Sequence, residues 1–190
     1  NFHNWLNGRL WYYDQQGVVK SDRMLAVVRY ATTELHITHF VIDSLMKCGI
    51  GTDDYNRQKA FVNELCSHAQ DTGVHVHLVV HMRKAESEYH KSDKMDIKGT
   101  SEITDQADNV FTFWRNKRKE DEVQGGDRDP EIMQQPDALL SCSKQRHGEW
   151  EGKIRLWYDA ASMQYVAADG DRPIIVSDFS VSTTTLGYEP

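Results

Sequence analysis

Short apolar runs alternate with stretches of helical periodicity along the first half of the chain. Residues 40–42 are a continuous apolar run and residues 74–80 are a mostly apolar stretch that predicts a second buried strand, and each is followed by a polar residue. Residues 24–35 and 55–69 place apolar side chains every three or four positions, as on one face of a helix, and Gly73 is positioned to end the second of these. Short buried strands that alternate with helices predict βαβ units and a parallel sheet covered by helices.

The second half of the chain predicts strands and loops rather than long helices. Strands are expected at residues 110–114, 138–142, 154–158 and 164–166, with a hairpin around His147 and Gly148. Residues 10–13 also have the composition of a strand, whereas the charged stretch 116–137, with two glycines in succession, predicts a loop. We expect one domain over residues 1–168 and a polar tail over 169–190.

The overall composition narrows the class of protein. The chain has 39% hydrophobic and 27% charged residues, which is typical of a globular protein, and no apolar run has the roughly 18 residues of a membrane span. The 3 cysteines are far apart, which favours reduced thiols and a cytoplasmic location. The net charge of -7 argues against a protein whose whole surface coats DNA, but not against one basic loop that binds it.

Two predicted strands end in residues that suit a nucleotide site. In an open α/β sheet, ligands bind beyond the carboxyl ends of the strands, where Asp43 and His81 lie. An aspartate there can hold Mg²⁺, and a polar residue on the next strand can contact a terminal phosphate. Each residue also has a simpler interpretation: Asp43 as a capping aspartate and His81 as a surface or loop-anchoring histidine. A zinc site on His75, His77 and His81 is disfavoured against packed histidines, because no further ligands are suitably spaced.

Two basic segments could contact phosphate groups. Lysines and arginines between residues 82 and 98 could hold a nucleic-acid backbone, although acidic residues among them equally suit a solvated loop. Lys144 and Arg146 point to the same side of a predicted strand end, as an arginine finger and its companion would. An ordinary basic hairpin edge is the alternative.

Taken in chain order, these segments resemble the RecA-like motor domain of hexameric replicative DNA helicases. That family includes the bacterial DnaB type, the phage primase-helicases and the mitochondrial helicase Twinkle. The segments that carry the resemblance are FVIDSL at 40–45, TGV at 72–74 with VVH at 79–81, DIKGTS at 96–101, ADNV at 107–110 with WRN at 114–116, and KQRHG at 144–148 with GKIRL at 152–156. The resemblance implies a RecA-like core, with a mostly parallel sheet flanked by helices and a C-terminal β-hairpin.

The resemblance also implies roles for particular residues. Asp43 would be the carboxylate associated with Mg²⁺, His81 the sensor of the γ-phosphate, and Arg146 the finger that acts on a neighbouring subunit. Arg115 and Lys144 would complete the catalytic set. The DNA-binding residues would be Arg83, Lys84, Lys94, Lys98 and Gly99. The implied cofactors are ATP and Mg²⁺, and the implied partners are single-stranded DNA, further copies in a ring that is expected to be a hexamer, and a primase or helicase loader, with no membrane.

One expected part of such a motor is absent from the sequence. No G-x-x-x-x-G-K-[ST] occurs in the chain, so we expect a fragment of a helicase, or a naturally truncated product, without ATPase activity of its own. The expected setting is the cytoplasm of a bacterium or a phage-infected host. Two other hypotheses are a recombinase-type DNA-dependent ATPase and a non-catalytic module for assembly or single-strand binding.

Overall fold

Two β-sheets organise the chain in the computed structural model, which describes residues 2–51, 53–82, 89, 96–97, 101–126 and 128–174. The strands are β1 His39–Asp43, β2 His75–Val79, β3 Asn109–Arg115, β4 Ala138–Gln145, β5 Gly152–Asp159 and β6 Gln164–Val166. The helices are α1 Phe2–Leu6, α2 Ser21–Glu34, α3 Tyr55–Thr72, α4 Ser101–Gln106, α5 Lys117–Gly125 and α6 Pro130–Met133, with a 3-10 turn at Leu45–Lys47.

The first sheet is the parallel pair β1–β2, and the main core lies between it and helices α2 and α3. Helix α3 begins where the Asp54 side chain accepts a hydrogen bond from the Arg57 amide, and it ends at Gly73. Gly73 has a φ of 76°, a left-handed conformation that glycine adopts without a steric cost. The βαβ unit and its glycine terminator, both predicted from the pattern, are therefore confirmed.

The second sheet has the order β3-β4-β5-β6, and all its neighbouring strands are antiparallel. The α/β class and the hairpin of β4 and β5 are confirmed, but the expectation of a mostly parallel sheet is wrong for the described residues. Strand β3 pairs with β4 instead of joining the parallel pair. Its exposed side chains alternate with buried ones, a pattern typical of an antiparallel strand with one open face.

The charged stretch 116–137, predicted as a loop, contains helices α5 and α6. The Asn116 side chain accepts a hydrogen bond from the Lys119 amide at the start of α5, and the Asp129 side chain accepts one from the Glu131 amide at the start of α6. Gly126 ends α5 with a φ of 82°. The charged composition suggested a loop. However, these side chains accept hydrogen bonds from backbone amides that would have no partner within the helix, and they thereby stabilise the start of each helix.

The expected strand at residues 10–13 is absent. These residues are exposed and have no regular structure, because an apolar-aromatic run forms a strand only beside a partner strand. None of the helices in the described residues is long and apolar enough to cross a membrane. The expected tail at 169–190 is described only as far as residue 174, so its boundary stays a prediction.

Candidate functional site

Asp43 and His81 lie at the same edge of the parallel sheet. Asp43 is the last residue of β1 and is paired in register with Val79, two residues before His81. The Oγ atom of Ser44 and the Nε2 atom of His81 are 3.1 Å apart in a hydrogen bond, and Ser44 is 2% exposed. A buried hydroxyl therefore connects the two strand ends. Sequence reasoning did not single out Ser44, although a small hydroxyl residue directly after the strand-end aspartate was visible.

The carboxylate of Asp43 is open to solvent and makes no hydrogen bond or ion pair with the residues that the structure describes. It fits a Mg²⁺ ion that keeps most of its water and is completed by phosphate oxygens, since such an ion needs only one or two protein carboxylates. Within the described residues no group of three or more His, Cys, Asp or Glu side chains is arranged to hold a metal ion. At this edge the described residues thus offer the single carboxylate of Asp43 rather than a closed metal cage.

Lys144 and Arg146 both contact helix α4 of their own chain. The Nζ atom of Lys144 donates hydrogen bonds to the carbonyl oxygens of Thr104 at 2.9 Å and Asp105 at 2.7 Å. Arg146 donates through Nη2 to the carbonyl oxygens of Asp105 at 3.0 Å and Gln106 at 3.3 Å. The two predicted finger residues are thus brought together, with their side chains bound within one subunit.

Arg115 borders a pocket of about 640 Å³ that also includes Tyr158 and Tyr165. Its guanidinium forms a bidentate ion pair with Glu120 through Nε at 3.0 Å and Nη2 at 2.9 Å. The two tyrosine rings are 5.1 Å apart, and burial raises the pKa of Tyr165. A guanidinium plane beside two aromatic rings suits a flat heterocycle. Sequence reasoning missed both tyrosines, because they lie more than 40 residues from Arg115 and only the folding of the second sheet brings them to the same pocket.

Lys119 lines the same pocket and was also missed. Its Nζ atom is 2.8 Å from the Asp137 carboxylate and donates a hydrogen bond to the carbonyl oxygen of Gln135 at 2.7 Å. Both cations of the pocket are thus balanced by neighbouring carboxylates, so the pocket suits an uncharged part of a ligand better than a phosphate group. The predicted DNA-contact residues lie outside the described residues: Arg83, Lys84, Lys94, Lys98 and Gly99.

Three histidines form a cluster on the open face of the parallel sheet. His39 stands opposite His75 in the register, and the ring centroid of His75 is 4.3 Å from that of His77 and 5.6 Å from that of His39. The cluster therefore consists of His39, His75 and His77, whereas the zinc site considered from the sequence contained His81 instead of His39. Burial, followed by the neighbouring His75 and His39, lowers the pKa of His77.

This lowered pKa predicts a loss of stability in mild acid. The unfolded chain takes up the His77 proton at a higher pH than the folded chain does. The stabilisation is therefore complete above a pH of about 6.5 and is lost as the pH falls from there through the pKa of the folded state. We expect the midpoint of thermal unfolding to decrease over this window.

The substitution His77→Gln should flatten this part of the pH profile, measured by circular dichroism between about pH 7.5 and pH 5. His36→Asn is the matched control, since it removes a histidine outside the cluster and asparagine tolerates the positive φ of 53° there. An unchanged slope in His77→Gln would contradict the assignment.

The chain matches no known protein-family model, and no curated protein matches it either.

Proposed function

We propose that this chain is part of the motor domain of a ring-forming replicative DNA helicase, with a RecA-like core that couples ATP hydrolysis at subunit interfaces to movement along single-stranded DNA. The observation that carries the proposal is the hydrogen-bonded connection from the end of β1 to the end of β2, through Ser44 and His81, with the Asp43 carboxylate open beside it. This edge of a parallel sheet is where an α/β fold binds phosphates.

The residues of the chain divide the expected chemistry among them. Mg²⁺, when bound with ATP, would neutralise charge on the phosphate oxygens. Asp43 would hold that ion through water. His81 would contact the terminal phosphate, and the loss of that contact would affect Ser44 and β1 through the hydrogen bond between His81 and Ser44. Arg115, Tyr158 and Tyr165 would hold the nucleotide base, since their pocket is amphipathic and its charges are balanced.

The arrangement of strands leaves room for the part that the sequence lacks. Within the described residues, β2 pairs only with β1, and β3 pairs only with β4. A cleft of about 570 Å³ lies between them, lined by seven consecutive residues at 74–80 and by residues 109–111. Consecutive lining residues mean that strand edges face the cleft, and an edge can accept a further strand. A strand carrying a phosphate-binding loop would fit there.

The test of this proposal is the substitution His81→Asn in a protein that joins this chain to a phosphate-binding loop. Asparagine is too short to keep both the contact with Ser44 and the reach of the imidazole. We expect nucleotide binding to persist while stimulation of hydrolysis by single-stranded DNA is lost, measured as ATPase rate against DNA concentration.

The control for this experiment is His36→Asn, which makes the same chemical change before the amino end of β1, at the opposite end of the strand from Asp43. DNA-stimulated hydrolysis that survives in His81→Asn would show that His81 is not the sensor. A wild-type protein with no DNA-stimulated hydrolysis at all would favour the non-catalytic binding module instead.

A further inference from the structure

The end of helix α4 receives the side chains of both predicted finger residues. The last carbonyl oxygens of a helix have no partner within the helix and carry partial negative charge, so they attract lysine and arginine. Here the three acceptors are the carbonyl oxygens of Thr104, Asp105 and Gln106, and the four donated bonds range from 2.7 to 3.3 Å. Lys144 and Arg146 therefore serve as the C-terminal cap of α4.

Asp108 holds Arg146 in two ways. Its Oδ1 atom is 3.3 Å from Nη1 of Arg146, and its carbonyl oxygen accepts a hydrogen bond of 2.8 Å from the Arg146 amide. The backbone bond fixes where the side chain starts, and the carboxylate fixes where its end lies. We call the three carbonyl oxygens at the end of α4 and the carboxylate of Asp108 together the α4 dock.

The α4 dock is itself fixed to the core. Ile103 in α4 belongs to the main hydrophobic cluster, and Cys66 of α3 donates a hydrogen bond of 3.8 Å from its thiol to the carbonyl oxygen of Gln106. Because α4 is anchored to buried residues, its end does not move with the side chains that bind to it. The α4 dock therefore restricts the motion of those side chains. The geometry of Arg146 is thereby determined by α3 and α4 and not only by β4, the strand that precedes it.

The contacts with the dock use only part of the Arg146 guanidinium. They involve Nη1 and Nη2 but not Nε, and the side chain remains 40% exposed. An arginine side chain that already has such contacts, and that keeps part of its surface open, loses less entropy when it binds a phosphate, because part of the ordering has occurred in folding. A free arginine would lose that entropy at each turnover.

We propose that Asp108 is a positioning residue, which, with the end of α4, holds Arg146 in the orientation that it needs to contact a neighbouring subunit's nucleotide. This inference rests on the proposed function and extends it from the finger to the residues that aim it. Lys144 shares the dock and is positioned with Arg146. In this role Asp108 acts through Arg146 and not through any contact of its own with substrate.

A direct test measures the mobility of the Arg146 side chain in the 190-residue chain by nuclear magnetic resonance of its Nε–H group, assigned through Arg146→Lys. We expect an ordered signal in the wild type and a mobile one in Asp108→Ala. Asp105→Ala is the matched control, since it also removes a carboxylate but keeps the backbone carbonyl that accepts from both cations. Asp108→Asn keeps the shape and one acceptor, so it should give intermediate mobility even if the alanine variant folds poorly.

A second readout separates positioning from a merely structural role. In a protein with the phosphate-binding loop, Asp108→Ala should lower kcat about 10- to 100-fold with little change in the KM for ATP, and Asp108→Asn should recover part of that loss. Unchanged kcat, or an Arg146 side chain equally mobile in wild type and Asp108→Ala, overturns the positioning role while leaving the helicase proposal intact. If the wild-type protein hydrolyses no ATP, the proposed function fails and this role fails with it.

Discussion

Replacing Arg146 with alanine should lower ATP hydrolysis about 10³-fold or more, in a protein that joins this chain to a phosphate-binding loop. An arginine finger places positive charge on the transition state and contributes much less to the bound ground state, so nucleotide binding should remain. The fold should also remain. The hydrogen bonds from Arg146 to the end of α4 lie at the surface, and their loss should cost about 1 kcal/mol or less.

The decisive measurement mixes Arg146→Ala subunits with Asp43→Ala subunits. If the site is shared, some interfaces of a mixed ring contain an intact Asp43 from one subunit and an intact Arg146 from the next, and these should regain hydrolysis. A site within one subunit cannot be rescued in this way. Arg155→Ala is the control, because it removes an exposed arginine of β5 that makes no contact with the α4 dock. Mixed rings that stay inactive, although subunit exchange is confirmed separately, would exclude a finger acting between subunits.

The second large effect concerns stability. Phe61 on α3 is 3% exposed and lies in the cluster between α3, α2 and the parallel sheet. Truncating a buried phenylalanine removes its transfer free energy and leaves a cavity, so Phe61→Ala should lower the free energy of unfolding by about 3 to 5 kcal/mol. Since most domains are stable by only about 5 to 15 kcal/mol, this change should populate the unfolded state measurably. Urea denaturation followed by circular dichroism gives the value.

Phe111→Ala makes the same chemical change on β3, where the side chain is 53% exposed. It should cost about 1 kcal/mol, since only about half of the Phe111 surface is buried. Equal losses in the two variants would mean that the packing around α3 does not provide the main core. A large loss in Phe111→Ala alone would place the stabilising contacts at the second sheet.

The sequence predicted the parallel half of the fold because that half is specified locally. The apolar run before Asp43, the helical spacing along α3 and the terminating Gly73 each lie within one element. The carboxyl ends of parallel strands must lie at one edge of their sheet, so the placement of Asp43 and His81 at the same edge could be predicted. The roles of these residues in hydrolysis remain predictions, as does the RecA-like core.

Local patterns failed wherever the outcome depended on a distant partner. The apolar run at 10–13 had the composition of a strand but has no neighbouring strand, and β3 is antiparallel because it pairs with β4. Residues 117–125 form a helix although their composition suggested a loop, since Asn116 caps it and Glu120 holds Arg115. Propensity describes a single segment, whereas pairing and capping depend on which groups are near one another.

By itself, the sequence determined the βαβ unit, the strand-end position of Asp43 and His81, and the neighbouring placement of Lys144 and Arg146. Only the tertiary structure decided that Ser44 connects the first two, that Arg115 faces the tyrosines of β5 and β6, and that α4 and Asp108 hold the basic pair. The physical reason is the range of the forces involved. The periodicity of apolar side chains reflects only residues that are close in sequence, within one helix or strand. A hydrogen bond or an ion pair, in contrast, joins groups tens of residues apart once burial has brought their elements together.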